Sequence, residues 1–314
     1  MPSELAEFFN DLDRARLRVQ PPKKSLFLCG GLVGGGVDAN AKSLRDYLYR
    51  HRSIESEIAA TVVLAEEANQ LYRDTTYGDL ITFEEEIARI ASIVLVIAES
   101  PGSLAELGAF ASNDTIRKAL RVIVQEKYWD VESFIRYGPL QRVYSANESH
   151  VGVYPWTILP TGHLDADEAA KHYAAIADFV RRELNAVDKS ASFPVDAETQ
   201  QFYVIYWIIY LGMASSLSLI TAYAQELFPN IQTKIVRNKI YCMQIAGWVG
   251  VKTYSSKTYY FARFDEDPFN YAFRKGVAVN DSHRRKLLVI EAIREAEKVP
   301  AHVQEFANDG RSQS

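Results

Sequence analysis

An α/β fold, a doubly wound parallel sheet followed by a smaller winged helix-turn-helix domain, is what this sequence predicts, and three observations carry it. Along residues 23–187, short runs of β-branched and aliphatic residues alternate with helical segments, the pattern of strands joined by helical crossovers. At residues 93–98 the run IVLVIA breaks at Ser-Pro-Gly and resumes with helical character as LAELGAF, a buried strand feeding a helix. Beyond residue 198 the order is three helices and then two alternating strands, the order of a winged helix.

Residues 1–22 read as an amphipathic helix ended by Pro21-Pro22. The α/β domain follows over 23–187. Its first strand, residues 25–29, runs into the glycine-rich loop Gly30-Gly31-Leu32-Val33-Gly34-Gly35-Gly36. Asp38 or Asn40 can cap the next helix, through Leu44, Tyr47 and Leu48, and residues 58–64 form a second strand. A polar segment with Asp74 and Asp79 leads to a helix whose first turn carries Glu84-Glu85-Glu86. The third strand is 93–98, the fourth 121–125, Tyr137-Gly138-Pro139 a turn, and 150–156 a further strand. A long amphipathic helix, 167–187, closes the domain, and the small, polar stretch 188–198 is the linker. The winged domain and a C-terminal helix span 199–300, and 301–314 is a frayed tail.

The chain has 314 residues, 48% of them hydrophobic, enough for two cores in a soluble protein. A formal net charge of -5 argues against general affinity for polyanions but leaves room for a local basic surface. Cys29 and Cys242 lie far apart in apolar settings and suggest neither a disulfide framework nor a metal cluster, in keeping with the cytoplasm. Residues 202–222 carry no charge over a membrane-spanning length. Gly212, Ser215, Ser216 and Ser218 interrupt them, and no Lys/Arg cluster flanks them, so they read as buried helices and no membrane partner is expected.

Ligands of open parallel sheets sit outside the strands' carboxyl ends, which places the candidate chemistry at the turn after residue 98. Glu99 and Glu106 flank that turn. Gly102 and Gly108 allow close approach to Glu106, which could attack or stabilise an anomeric carbon with oxocarbenium character, as glycosidase carboxylates do. An ordinary helix-start acid is the competing account. Glu99 is either its acid partner or a turn residue. The glycine loop lacks the Lys-Ser/Thr of a phosphate loop and the ribose-binding acid of a dinucleotide fold, although Gly34, Gly36 and Ala39 fit a relaxed dinucleotide pattern, so Gly30, Gly31 and Gly34 read as a loop approached by a substrate's ribose or phosphate, as a turn, or as a dinucleotide cofactor loop.

The segment ESPGSLAELGAF resembles the signature of nucleoside 2-deoxyribosyltransferase-like proteins, whose catalytic glutamate sits in an ELG motif after a glycine turn. The combination of LFLCGG, ESPGSLAELGAF, RYGPL and a C-terminal winged helix is similar to the effector proteins encoded with retrons, anti-phage systems built around a reverse transcriptase and its DNA product. It covers residues 25–264. The resemblance implies that Glu106 is the nucleophile, that Glu99, Ser100, Gly102 and Ser103 form the preceding turn, and that Gly30 and Gly31 are the first loop. The transferases hold a tyrosine on the first strand; Phe27 stands at the comparable position, which favours hydrolysis over base exchange. Asp74 and Asp79 would be substrate acids or parts of a solvated loop.

Residues 229–264 hold six basic residues, Lys234, Arg237, Lys239, Lys252, Lys257 and Arg263, and no acid. The first three lie on the expected recognition helix, and Lys252 and Lys257 on the wing. Backbone phosphates need such a surface, although winged helices also dock on proteins. With the resemblance, the expectation is an N-glycosidase toxin that takes NAD first, or a nucleoside or deoxynucleotide, as substrate and requires no cofactor. Its partners would be the retron reverse transcriptase and its msDNA, which keep it silent until infection, and it would be an oligomer. The alternative is a DNA-binding regulator whose first domain senses a nucleotide without cleaving it.

Overall fold

The computed structural model describes residues 3–34, 40–58, 60–65, 77–277 and 282–312. The chain divides into two compact units, one of Lys24–Tyr72 and Gly78–Val187, the other of Met1–Lys23, Arg73–Tyr77 and Asp188–Ser314.

The first unit is built on five parallel strands, β1 (Ser25–Cys29), β2 (Thr61–Leu64), β3 (Ile93–Ala98), β4 (Leu120–Gln125) and β5 (Val151–Tyr154), in the order β2-β1-β3-β4-β5. Every residue of β1, β3 and β4 is buried, as parallel strands covered on both faces must be. Their crossovers include α1 (Leu80–Ile90) and α2 (Pro101–Ser112), and α3 (Ala166–Ala186) ends the unit, packing Ile176, Phe179 and Val180 into the core with Leu26, Leu28 and Leu95. The chain winds outward from β1 to β2 and then crosses back to β3. The reversal opens a crevice at the carboxyl ends of β1 and β3.

Several local expectations need correction. The helix after the glycine loop is capped by Ser43, whose Oγ accepts the Asp46 N–H at 3.0 Å, and not by Asn40; Asp38 lies outside the described residues. It runs Leu44–Asp46 and continues as a π-helical turn, Tyr47–His51. Asp79 caps α1, so Glu84 falls beyond the first turn, on the stripe formed with Phe83, Ile87 and Ala88 that faces the core. The expected turn at Gly138-Pro139 lies inside a π-helical segment, Arg136–Leu140.

The second unit contains α4 (Ala197–Gly212), β6 (Ser215–Ser216), α5 (Leu217–Leu227), α6 (Thr233–Ile245), and a hairpin of β7 (Val249–Tyr254) and β8 (Lys257–Ala262). The strands pair antiparallel in the order β6-β8-β7, and the hairpin turns through Ser255, which takes the left-handed φ of 53°. α4 is apolar on nearly every face and is buried as the unit's core, its Trp207 ring 4.9 Å from Phe269 and its Tyr206 ring 5.7 Å from Trp248. No helix among the described residues is long and apolar enough to cross a membrane. Arg18–Val19 pairs with Ala191–Ser192 on one side and Phe269–Asn270 on the other, so residues read as linker supply a strand. Helices α7 (Ser282–Glu295) and α8 (Ala301–Ser312) complete the unit. The expected frayed tail is instead a docked helix, because Val303 and Ala307 are buried against Tyr259 and Phe261.

Candidate active site

Four side chains from three elements and a loop-bordering helix meet at the switch point: Cys29 at the end of β1, Arg45 in the helix after the glycine loop, Glu84 on α1, and Glu106 on α2. Sequence reasoning found only Glu106. Cys29 and Arg45 are buried in a chain whose site was sought among glycines and acids, and Glu84 was taken for a helix-start acid. The available signal was a glutamate in register with Phe83, Ile87 and Ala88.

Glu106 sits on the sixth residue of α2, past the turn where the helix dipole acts, and capping does not engage it. That task falls to Ser100 and Ser103, which form a reciprocal capping box with Pro101 at the first position. The part-buried Glu106 carboxyl has one oxygen, Oε2, that is buried and accepts no hydrogen bond. Burial raises its pKa, while the Arg45 guanidinium and a hydrogen bond donated by the Cys29 thiol pull it down. Burial and the neighbouring Glu106 and Glu84 carboxyls push the thiol itself well above its usual range. The Phe27 ring packs against Phe110 of α2, with centroids 6.3 Å apart. Cys29, two residues on and so on the same face of the strand, lies beside Glu106.

Glu99 takes a different position. Its carboxylate accepts the N–H groups of Gly31 (2.9 Å), Leu44 (2.8 Å) and Arg45 (3.1 Å), which joins the loop after β1 to the following helix start. Burial raises its pKa, and those three N–H groups and Arg45 oppose the rise. The glycines there are steric necessities: a Cβ on Gly31 would lie 2.6 Å from the Ser43 Cβ, and one on Gly30 would lie 2.9 Å from the Arg45 Cβ. Asp46 accepts the N–H groups of Gly34 and Lys42, holding the ends of the loop together. Gly35 and Gly36 lie outside the described residues.

The Ser100 hydroxyl donates to the Gly30 carbonyl at 3.1 Å, and Ser103 Oγ accepts the Glu99 and Ser100 N–H groups. Gly102 is exposed, with open space where a Cβ would stand apart from Ser100 Oγ at 3.9 Å. Asp79 accepts from the N–H and hydroxyl of Thr82 as the α1 cap, and Asp74 lies outside the described residues. A cavity of about 360 Å³ opens beside Glu99 and Ser100 at the ends of β3 and β4, lined by Leu104, Val124, Tyr128 and Ile135. Leu104 precedes Glu106 by two residues, so cavity and carboxyl occupy different faces of α2.

The expected basic surface separates into three parts. Lys234, Arg237 and Arg263 are exposed. Lys239 is fully buried, its Nζ 3.0 Å from the Glu198 carboxylate and 4.2 Å from the Phe202 ring centre, and is therefore corrected from a phosphate contact to a core cation. Lys252 and Lys257 are engaged by the C-terminal segment: the Lys252 Nζ lies 4.2 Å above the Phe306 ring, and Lys257 pairs with Glu297.

A doubly wound sheet with Glu84, Glu106 and a glycine loop at its switch point is an α/β unit with carboxyls of the kind a glycosyl-transfer site would need. The chain belongs to the STM3845 retron effector protein family, whose model matches residues 41–251. It is 32% identical over 133 residues to the retron Ec86 putative ribosyltransferase/DNA-binding protein of Escherichia coli, a stretch covering 41% of this chain and 40% of the relative. To the retron Ec73 putative ribosyltransferase/DNA-binding protein of the same organism it is 28% identical over 123 residues, 38% of each. The match thus spans about two fifths of the length of these curated relatives.

Proposed function

We propose that this retron effector cleaves the N-glycosidic bond of a nucleotide, with NAD the first substrate candidate and a nucleoside or deoxynucleotide the second. The observation that carries the reading is Glu106: a part-buried carboxyl at the switch point with an oxygen free to act, an arginine beside it, and no role in capping its helix. Its carboxylate attacks or stabilises the anomeric carbon as the base departs. Glu99 orients the site by fixing the glycine loop, which receives ribose or phosphate. The names of the two relatives support glycosyl chemistry and DNA binding. Phe27 in place of the transferases' tyrosine supports water as acceptor.

The order α4, β6, α5, α6 and the β7–β8 hairpin supports a winged helix, with Lys234 and Arg237 exposed on its recognition helix. Through it the effector binds the msDNA and reverse transcriptase of its retron, which hold it silent until phage infection. The test is base release from NAD and from each nucleoside by wild type and Glu106→Gln. Release abolished by the substitution is expected; inertness of wild type toward every substrate, with and without the partner, overturns the reading. Expression separates it from a non-catalytic DNA-binding regulator, since the glycosidase arrests growth unless Glu106 is replaced.

A further inference from the structure

Glu84 is an anomaly that cleavage by Glu106 alone leaves unexplained. It occupies the core-facing stripe of α1 beside Phe83, Ile87 and Ala88 and is only 8% exposed. Glutamate is almost never buried unless it is paired. Among the described residues it makes no hydrogen bond or ion pair, and the group that acts on it is a like charge, Glu106. The same two carboxyls act on the Cys29 thiol, which places Glu84, Cys29 and Glu106 around one point.

Two neighbouring carboxylates oppose each other's ionisation, and their surroundings decide which holds its proton the longer. Glu106 has the Arg45 guanidinium and the Cys29 hydrogen bond to favour its charge. Glu84 has neither; burial and Glu106 raise its pKa to about 8. The groups facing the pair are thus Arg45 from the helix after the glycine loop and Cys29 from β1.

We propose that Glu84 is the acid/base partner of Glu106 in this site, an inference that rests on the N-glycosidic reading above. In the first half-reaction a Glu106 oxygen bonds to the anomeric carbon as the C–N bond breaks. The bonding pair stays on the base nitrogen, and a purine or pyrimidine takes the Glu84 proton there. In the second, water oxygen bonds to the anomeric carbon, the pair of the Glu106 ester returns to the carboxylate, and the water proton passes to Glu84. A pyridinium base leaves without needing a proton. Esterification then removes the Glu106 charge that opposed ionisation of Glu84, its proton goes to solvent, and the carboxylate is again ready for water.

The experiment compares wild type, Glu84→Gln, Glu84→Asp and Glu106→Gln on NAD and on nucleosides, with and without sodium azide, a nucleophile that needs no deprotonation. Glu84→Gln is expected to lose about 10²- to 10⁴-fold in hydrolysis, the usual contribution of general acid–base catalysis. Azide restores turnover of the pyridinium substrate by this variant, with a glycosyl azide as product, and Glu84→Asp retains part of the activity. Glu106→Gln is not rescued. A Glu84→Gln protein that is as active as wild type, or that folds to wild-type circular dichroism yet is inert and gains nothing from azide on any substrate wild type cleaves, overturns the acid/base role. Wild-type protein inert on every substrate instead overturns the glycosidic reading itself, so the two failures are distinct.

Discussion

The Cys29 thiol, at the last residue of β1, donates a hydrogen bond to the Glu106 carboxyl on α2. The two residues are far apart in sequence, and parallel pairing of Cys29 with Val96 brings their elements together. A buried thiol that hydrogen-bonds a carboxylate favours its charged form.

Replacing Cys29 with alanine therefore raises the Glu106 pKa further. The acid limb of the pH–rate profile for base release, where Glu106 takes up a proton, should move to higher pH, whereas Cys29→Ser, which keeps a donor, should move it less. Profiles of kcat/KM against pH for the three proteins check this.

Glu99 anchors three backbone N–H groups, and glutamine turns part of that acceptor into a donor facing donors. Glu99→Gln is expected to cost about 2 kcal/mol of stability, the scale of leaving buried polar groups unsatisfied. It should also weaken substrate binding through the glycine loop. Urea unfolding measures the first effect, and KM the second.

The Glu84 carboxyl has the opposite signature. Its folded pKa lies above the unfolded value, so the folded state holds a proton that the unfolded chain has already lost, and stability falls as pH rises from about 4.5 to about 8. Glu84→Gln removes that penalty. The variant should be the more stable protein at pH 8, by up to about 4 kcal/mol, with the difference vanishing near pH 4. Urea unfolding at the two pH values decides it; a variant less stable than wild type at pH 8 contradicts the burial argument. Stabilisation that accompanies loss of turnover marks a residue kept for function.

If the second unit meets DNA as proposed, Lys234 and Arg237, exposed on α6, are the residues to replace. Substituting either by alanine should weaken binding of a DNA duplex and reduce the slope of log K against log salt by about one. Lys239→Ala should instead destabilise the fold, because it strips the Glu198 carboxylate and the Phe202 ring of their cation. Fluorescence anisotropy titrations at several salt concentrations, beside thermal melts, separate the two outcomes.

Much of the first unit was legible because parallel strands buried on both faces announce themselves as unbroken apolar runs: LFLC and IVLVIA could be little else. The order of those strands was not, since pairing partners leave no mark on a single run. Glu106 was singled out from the strand–turn–helix around it together with the resemblance carried by ESPGSLAELGAF. Arg45, Cys29 and Glu84 were not, because what makes them part of the site is which faces the crossovers bring together. Lys239 shows the same limit: a lysine on a helix reads as a surface charge until Glu198 and Phe202 are placed beside it. The last helix, α8, was read as a frayed tail because its anchors, Val303 and Ala307, are few and small.

The ties through Glu99 and Ser100 have a mechanical consequence. Gly30 is bonded to the cap of α2 through Ser100, and Gly31 and the helix start at Leu44 are bonded to Glu99. Gly30, Gly31 and the turn that leads into α2 are therefore tied to one another by hydrogen bonds. A ligand that displaced Gly30 or Gly31 would pull on the α2 cap through Ser100 and Glu99, so contact at these two glycines would be felt at the start of the helix that carries Glu106.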